Sequence, residues 1–187
     1  MTTVNDTVKE HSKILDAKEF ILKYRDYDKF SELCRKCPQY NKSWACPPFA
    51  HDIDGELAQF DKVLVHISQV FPAAADLPLS HSRELLRPQR IRLEKKFAEM
   101  ERASGGLFLG FAGSCPCCPA ESCTRANGKA CRFPHLCHPS LESYGFDLCK
   151  AASEIFGIEI LWSSNGRVPA YLTLICGLFY KNPDNAG

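Results

Sequence analysis

Nine of the eleven cysteines in this chain lie in two short segments, and this clustering constrains its fold and function more than any other feature. The first segment reads CRKCPQYNKSWACPP and runs from Cys34 to Pro48. The second reads GSCPCCPAESCTRANGKACRFPHLCHPS and runs from Gly113 to Ser140. In a reducing compartment, clustered cysteines indicate metal or redox chemistry more often than disulfides, and an odd total cannot be fully paired. We therefore expect two metal-binding loops.

Length and composition favour a chain that folds around an ordinary apolar core. The chain has 187 residues and is 45% hydrophobic, so its core needs no disulfide staples. The formal net charge is +1 and both signs are mixed along the chain, which gives no electrostatic footprint for nucleic acid or a membrane. The polar N-terminal segment is unlike a secretory signal, and no apolar run is long enough to span a bilayer. We expect a cytoplasmic protein with no nucleic-acid or membrane partner.

Helical and extended patterns alternate around the two cysteine segments. Apolar residues near helical spacing predict helices over 16–34 and 81–106, and Pro139 and Gly157 bracket a further helix that Asp147 caps. Glycines 105 and 106 are expected to end the second helix. Apolar runs predict four strands, at 61–71, 107–114, 158–162 and 170–180.

These elements predict a single α/β domain over residues 1–187. Strand–helix–strand units favour right-handed crossovers between parallel strands, whereas the last strand is expected to pair antiparallel. We therefore expect a small four-stranded sheet, mostly parallel or mixed, with flanking helices and cysteine-rich metal-binding loops at 34–46 and 115–137. The polar residues 1–16 are a candidate flexible segment.

Spacing selects seven cysteines as candidate metal ligands. Two residues separate Cys34 from Cys37, and two separate Cys115 from Cys118, so each pair can direct both sulfur atoms at one centre. One further cysteine follows the first pair at a distance that a loop can close, and two follow the second pair. The candidate ligands are Cys34, Cys37, Cys46, Cys115, Cys118, Cys123 and Cys131.

The other four cysteines carry different expectations. Cys176 lies in an apolar strand and Cys149 in a helix, and both are expected to be buried packing residues. Cys117 adjoins Cys118, and adjacent side chains point apart, so we leave it out of the ligand set. Cys137 stays open between a further ligand, a redox-active thiol and a buried thiol.

Iron–sulfur clusters and zinc compete for such a set of thiols. Neither segment contains the two short-spaced pairs of a zinc ribbon. Four of the candidate cysteines precede a proline, a step also found after cluster ligands in ferredoxins. We therefore expect an iron–sulfur cluster of the 4Fe–4S type, one or two per chain, with zinc as the alternative.

Three motifs, in order along the chain, resemble a family of small prokaryotic proteins described as predicted metal-binding. They read CRKCPQYNKSWACPP, LEKKFAEMERASGGLFLGFAGSCPCC and CRFPHLCHPSLESYGFDL. The resemblance implies metal binding and names no reaction. Cys123 matches a family cysteine after a longer spacing, whereas Cys137 is peculiar to this chain. By position, the resemblance marks as ligand candidates Cys34, Cys37, Cys46, Cys115, Cys118 and Cys131.

Three classes of function follow from these sites. The first is an iron–sulfur protein with an electron-transfer or redox accessory role, which would act with a redox partner protein. The second is an iron–sulfur enzyme in which Cys34, Cys37 and Cys46 hold a cluster whose fourth iron is open to a substrate. The third is an interaction module stabilised by zinc. We expect the first, because no evident acid or base accompanies the thiols and the apolar core should fold without metal.

Overall fold

A computed structural model of the chain describes residues 6–113, 115–119 and 122–182. These residues form four strands, β1 (Thr7–Asp16), β2 (Lys62–Phe71), β3 (Leu107–Leu109) and β4 (Leu172–Tyr180). They also form the α-helices α1 (Ala17–Tyr24), α2 (Tyr27–Lys36), α3 (Ile53–Leu57), α4 (Ser82–Ser104) and α5 (Leu148–Phe156). Short 3-10 helices lie at Leu79–His81, Thr124–Asn127, Pro134–Leu136 and Glu142–Tyr144. Among the described helices, none is long and apolar enough to cross a membrane.

The four strands make one antiparallel sheet with the order β1–β2–β4–β3. The prediction of a mostly parallel or mixed sheet is therefore wrong. Because β2 and β3 are both antiparallel to β4, they run in the same direction, as the strand–helix–strand pattern requires. The last strand, β4, lies between β2 and β3, so β2 and β3 are not neighbours in the sheet. The expected antiparallel pairing of the last strand is confirmed.

Two further strand assignments differ from the sequence expectations. Residues 7–16, within the candidate flexible segment, form β1 and pair along their whole length with β2. The side chains of β1 are mostly exposed, so this edge strand carries no apolar alternation for sequence analysis to detect. The predicted strand at 158–162 is wrong, because these residues lie outside the sheet. Ile158 and Ile160 instead pack partly buried against the core beside α5.

Capping residues divide the predicted N-terminal helix into α1 and α2. The carboxylate of Asp16 accepts hydrogen bonds from the backbone N–H groups of Lys18 and Glu19, at 3.0 and 3.1 Å. Asp26 caps α2 in the same way through the N–H of Lys29, at 3.1 Å. Such caps satisfy donors that the first turn of a helix leaves unpaired, and each is worth about 1 kcal/mol. The expected cap at Asp147 is also confirmed.

Apolar residues cover both faces of the central strands. On one face, Val63, Val65 and Ile67 of β2 are fully buried against Phe20 of α1. On the other face, Leu174, Cys176 and Leu178 of β4 pack in one core group with Leu93 and Phe97 of α4. Each large apolar side chain buried in this way contributes about 1.5–3 kcal/mol. Cys176 is thus the buried packing residue that its apolar strand predicts.

Residues 139–147 tie the end of β3 to the junction between α1 and α2. Gly110, just after β3, donates its N–H to the carbonyl of Pro139 at 2.7 Å. At the other end, Asp26 donates its N–H to the carbonyl of Gly145 at 2.8 Å, and Asp147 donates to the carbonyl of Tyr24 at 2.7 Å. The first cysteine segment begins in α2 and the second follows β3. These bonds therefore hold the two segments side by side.

A matched pair of glycine substitutions tests this junction. Gly145 has a φ of +93°, and a Cβ there would lie 2.7 Å from the Cα of Tyr27. Gly157 also has a positive φ, +66°, but a Cβ there would meet nothing within 4 Å. We expect Gly145→Ala to lower the free energy of unfolding by about 3 kcal/mol, from backbone strain plus overpacking, and Gly157→Ala by about 1 kcal/mol. Chemical denaturation measures both, and equal losses would show that the contact with Tyr27 tolerates displacement.

Candidate metal centre

All nine clustered cysteines line one of two adjoining cavities between the cysteine segments. The larger cavity has a volume of about 140 Å³, and the smaller has a volume of about 20 Å³. Around the larger cavity lie Cys34, Cys37, Cys46 and Cys115. Around the smaller lie Cys115, Cys117, Cys118, Cys123, Cys131 and Cys137. The seven predicted ligands are thus all present, and Cys115 belongs to both groups.

The C-terminal end of α2 presents the first two thiols. Cys34 lies in the last turn of α2, and the N–H of Cys37 donates to the Cys34 carbonyl at 3.0 Å to end the helix. Beyond it, Asn41 adopts a φ of +58° and donates its N–H to the carbonyl of Pro47 at 2.9 Å. This bond closes the loop, so that Cys46 returns to the same cavity.

Backbone N–H groups point at sulfur in both segments. The N–H of Gln39 lies 3.5 Å from the sulfur of Cys37, and the N–H of Phe133 lies 3.4 Å from the sulfur of Cys131. Each donor is two residues after its cysteine. Hydrogen bonds of this kind stabilise a thiolate and help to set the reduction potential of a thiolate-ligated cluster.

Arg125 joins the two cysteine segments. It lies in the 3-10 helix of the second segment, and its guanidinium donates to the backbone carbonyls of Ser43, Cys46 and Pro48 in the first. The same guanidinium packs on the ring of Trp44, with its central carbon 5.1 Å from the ring centroid. Trp44 in turn donates its indole N–H across the junction to the carbonyl of Lys129, at 3.1 Å. The Arg125 side chain is therefore a clamp that joins the two segments across the thiol-lined cavities.

Burial and crowding make the first thiols hard to ionise without a bound cation. Burial raises the pKa of Cys46 to about 11, with further increases from the charges of Cys37, Cys34 and Cys115, while Arg125 opposes the shift. Burial also raises the pKa of Cys34, with a contribution from Cys37. Since metal ligation requires deprotonated thiols, a positive centre would compensate this repulsion.

Cys115 and Cys137 form a contact that distinguishes them from the other thiols. Their sulfur atoms lie 4.0 Å apart. Hydrogen bonding with Cys137 lowers the pKa of Cys115 to about 6, and the same contact raises the pKa of Cys137. Cys117 is held separately, because its thiol donates to the carbonyl of Leu136 at 2.9 Å.

Polar side chains from α4 and its neighbours complete the wall of the larger cavity. Arg90 donates to the carbonyl of Ala112 at 3.0 Å and to the carboxylate of Glu94 at 2.7 Å. His138 lines the same wall, and its Nε2 lies 3.0 Å from a carboxylate oxygen of Glu101. Sequence analysis did not single out Arg90 or Arg125 as site residues, because isolated arginines in charged surroundings carry no local signal.

The two cysteines outside the segments lie away from both cavities. Cys149 is exposed on α5, so its predicted role as a buried packing residue is wrong.

Among the described residues, no three Cys, His, Asp or Glu side chains converge closely enough to hold a single metal ion. The larger cavity is also far roomier than the ~10–15 Å³ that one water molecule needs. The donors that line the two cavities are mostly cysteines, a set that suits zinc or an iron–sulfur cluster.

Comparison with known proteins supports a metal-binding role. A family model described as "Predicted metal-binding protein (DUF2284)" matches residues 14–176. No curated protein and no solved structure matches the chain. The family match spans both cysteine segments and most of the sheet, so the resemblance drawn from the three motifs is confirmed.

Replacing Arg125 tests the clamp without reference to any metal. In a Trp162→Phe background, where Trp44 is the remaining tryptophan, we expect Arg125→Gln to increase quenching of Trp44 fluorescence by acrylamide. The lost hydrogen bonds of a charged group are worth about 1–3 kcal/mol, which suffices to part the segments. Arg132→Gln is the matched control, because Arg132 donates to Ser122 within its own segment. Equal quenching in both variants would show that Arg125 does not hold the junction.

Proposed function

The chain belongs to the DUF2284 family of predicted metal-binding proteins, and from this premise we propose that it is an iron–sulfur protein with an electron-transfer or redox accessory role. The observation that carries the proposal is the convergence of Cys34, Cys37, Cys46 and Cys115 on one cavity. Four cysteine thiolates are the usual ligand set of a 4Fe–4S cluster. When bound, such a cluster would accept and release one electron.

The spacing of the thiols supports a cluster over a single zinc ion. Zinc draws its four ligands close around one atom, with zinc–sulfur distances of about 2.3 Å. No three ligand side chains among the described residues are gathered that tightly. A cluster keeps its cysteine sulfurs further apart, because each binds a different iron. The volume of about 140 Å³ agrees with the larger group.

The chain's own residues would shield such a cluster and tune it. Ala45 and Phe111 are buried in the wall of the larger cavity and limit the access of water. Arg125 places positive charge beside Cys46, which would offset part of the charge of a thiolate-ligated cluster. Solvent exclusion, nearby charge and hydrogen bonds to sulfur are the means by which a protein sets cluster potentials.

The exposed edge of the site suits electron exchange with a redox partner protein. Cys37 is exposed, and Trp44 beside the cavities is 36% exposed. A cluster held at this edge would lie close to the surface, where a docked partner could reach it.

Cys118, Cys123 and Cys131 are proposed as ligands at the smaller cavity, which they line with Cys137. Whether the chain carries one centre or two is decided by stoichiometry, since one 4Fe–4S cluster contains about four irons and two contain about eight.

An iron–sulfur enzyme is the second candidate, and the wall of the larger cavity favours it. Arg90, His138 and Ser140 line the larger cavity together with the thiols of the first segment. If Cys34, Cys37 and Cys46 alone held the cluster, its remaining iron could bind a small molecule, and these polar groups could contact that molecule.

Metal and sulfide analysis of protein purified without oxygen tests the function. We expect iron and acid-labile sulfide in equal amounts and a broad visible absorption that dithionite bleaches. Cys46→Ser should lose the part of this absorption that belongs to the larger cavity, because a ligand thiolate is removed there, whereas Cys149→Ser, on the exposed face of α5, should retain it. Stoichiometric zinc without sulfide would refute the proposal and favour a zinc-stabilised module.

Cys115→Ser separates the two iron–sulfur candidates. A four-thiolate centre at the larger cavity should lose most of its iron in this variant. A three-thiolate centre should keep its iron, and the electron paramagnetic resonance of the reduced cluster should be unchanged. The second result would favour the enzyme over the electron-transfer protein.

A further inference from the structure

Two thiols of the second cysteine segment, which line the smaller cavity together, lie close to each other. The sulfur atoms of Cys115 and Cys137 are 4.0 Å apart although 22 positions separate the residues in the chain. Both side chains are half-buried, so small molecules in solvent have access to them. A disulfide bond needs a sulfur–sulfur distance of about 2.05 Å, which leaves an approach of roughly 2 Å.

The surrounding backbone permits this approach. Cys115 lies in irregular chain beyond β3, and Cys137 follows the 3-10 helix Pro134–Leu136. Neither residue belongs to an α-helix or a strand, so a small displacement breaks no ladder of backbone hydrogen bonds. Cys117 holds the two stretches together, because its thiol donates to the carbonyl of Leu136, the residue before Cys137.

We propose that Cys115 and Cys137 are an oxidisable pair, which a low-molecular-weight disulfide converts into a Cys115–Cys137 disulfide that withdraws the Cys115 sulfur from the larger cavity. The cavity is then left with Cys34, Cys37 and Cys46. This consequence for metal loading rests on the proposed function, whereas formation of the disulfide does not. Oxidation of the pair would therefore limit assembly of a four-thiolate centre.

The reaction proceeds by two thiol–disulfide exchanges. The Cys115 thiolate attacks one sulfur of the small disulfide, whose sulfur–sulfur bond breaks to release one small thiol. Cys137 then loses its proton and attacks the Cys115 sulfur of the mixed disulfide, which releases the second small thiol. Two electrons pass from the two protein sulfurs to the small disulfide. The two released small thiolates take up one proton from Cys137 and one from solvent, which received it when Cys115 ionised.

Disulfide mapping of the metal-free, fully reduced full-length chain tests the pair directly. After incubation with oxidised glutathione, the remaining thiols are alkylated, and the digest is sequenced by tandem mass spectrometry. We expect the loss of two of the eleven thiols and a cross-link that joins Cys115 to Cys137. A main product that joins Cys115 to another cysteine, or that stops at the glutathione adduct, would overturn the inference.

Variants of the neighbouring thiols serve as controls. Cys137→Ser and Cys137→Ala should both abolish the cross-link. Cys117→Ser should retain it, because a serine hydroxyl can donate to the Leu136 carbonyl in place of the Cys117 thiol. Circular dichroism checks that each variant keeps its sheet. A cross-link that persists in both Cys137 variants would show that Cys115 has a different partner.

Iron uptake separates this inference from the proposed function. The oxidised wild-type chain should take up several-fold less iron and sulfide than the reduced chain. If the chain forms the disulfide on oxidation but its reduced form never binds iron, the proposed function is refuted and the inference of an oxidisable pair stands. Equal iron uptake with and without the disulfide would overturn the claim that Cys115 is withdrawn.

Discussion

The candidate metal centre depends on the contacts that the guanidinium of Arg125 makes with the first cysteine segment. The first cysteine segment curls back on itself through backbone bonds, yet those bonds do not orient it towards the second segment. Arg125 does so by donating to three carbonyls of residues 43–48 and by packing on Trp44. Charge-assisted hydrogen bonds of this multiplicity fix an orientation as well as a distance. The convergence of Cys115 on the first three thiols follows from that orientation.

The sheet contributes a rigid base from which both cysteine segments depart. Its central strands are covered by α1, α3 and α5 on one face and by α4 on the other, so the apolar core is complete without the loops. Residues 139–147 then carry the geometry of the core to the site, through bonds to Gly110 at one end and to the α1–α2 junction at the other. Gly145 is needed there because its Cα lies against the backbone of Tyr27 at a positive φ.

Local patterns predicted the parts of the molecule that local forces determine. Helices with an apolar stripe and a cap, such as α4 with Gly105 at its end, were predictable, as were the buried strands β2 and β4. Strand order was not, because the insertion of β4 between β2 and β3 depends on packing between distant segments. The edge strand β1 was not predicted, because an exposed strand needs no apolar residues. Cysteine spacing likewise identified the thiols. It could not predict that Cys115 meets Cys46 or that Arg125 bonds with residues 43–48, because these contacts join residues about 70 to 80 positions apart in the sequence.

The separation of core and cysteine loops bears on what a bound metal would do for this protein. In a small zinc module the metal replaces a missing core, and its removal unfolds the chain. Here the strands and helices bury their own apolar residues, and none of the clustered cysteines belongs to either core group. Without a cation, nothing offsets the burial of these thiols and the repulsion between them, which together raise the pKa of Cys46 and of Cys34. Loss of metal is therefore expected to loosen the loops while the sheet stays folded, which is the behaviour of a scaffold that carries a cofactor.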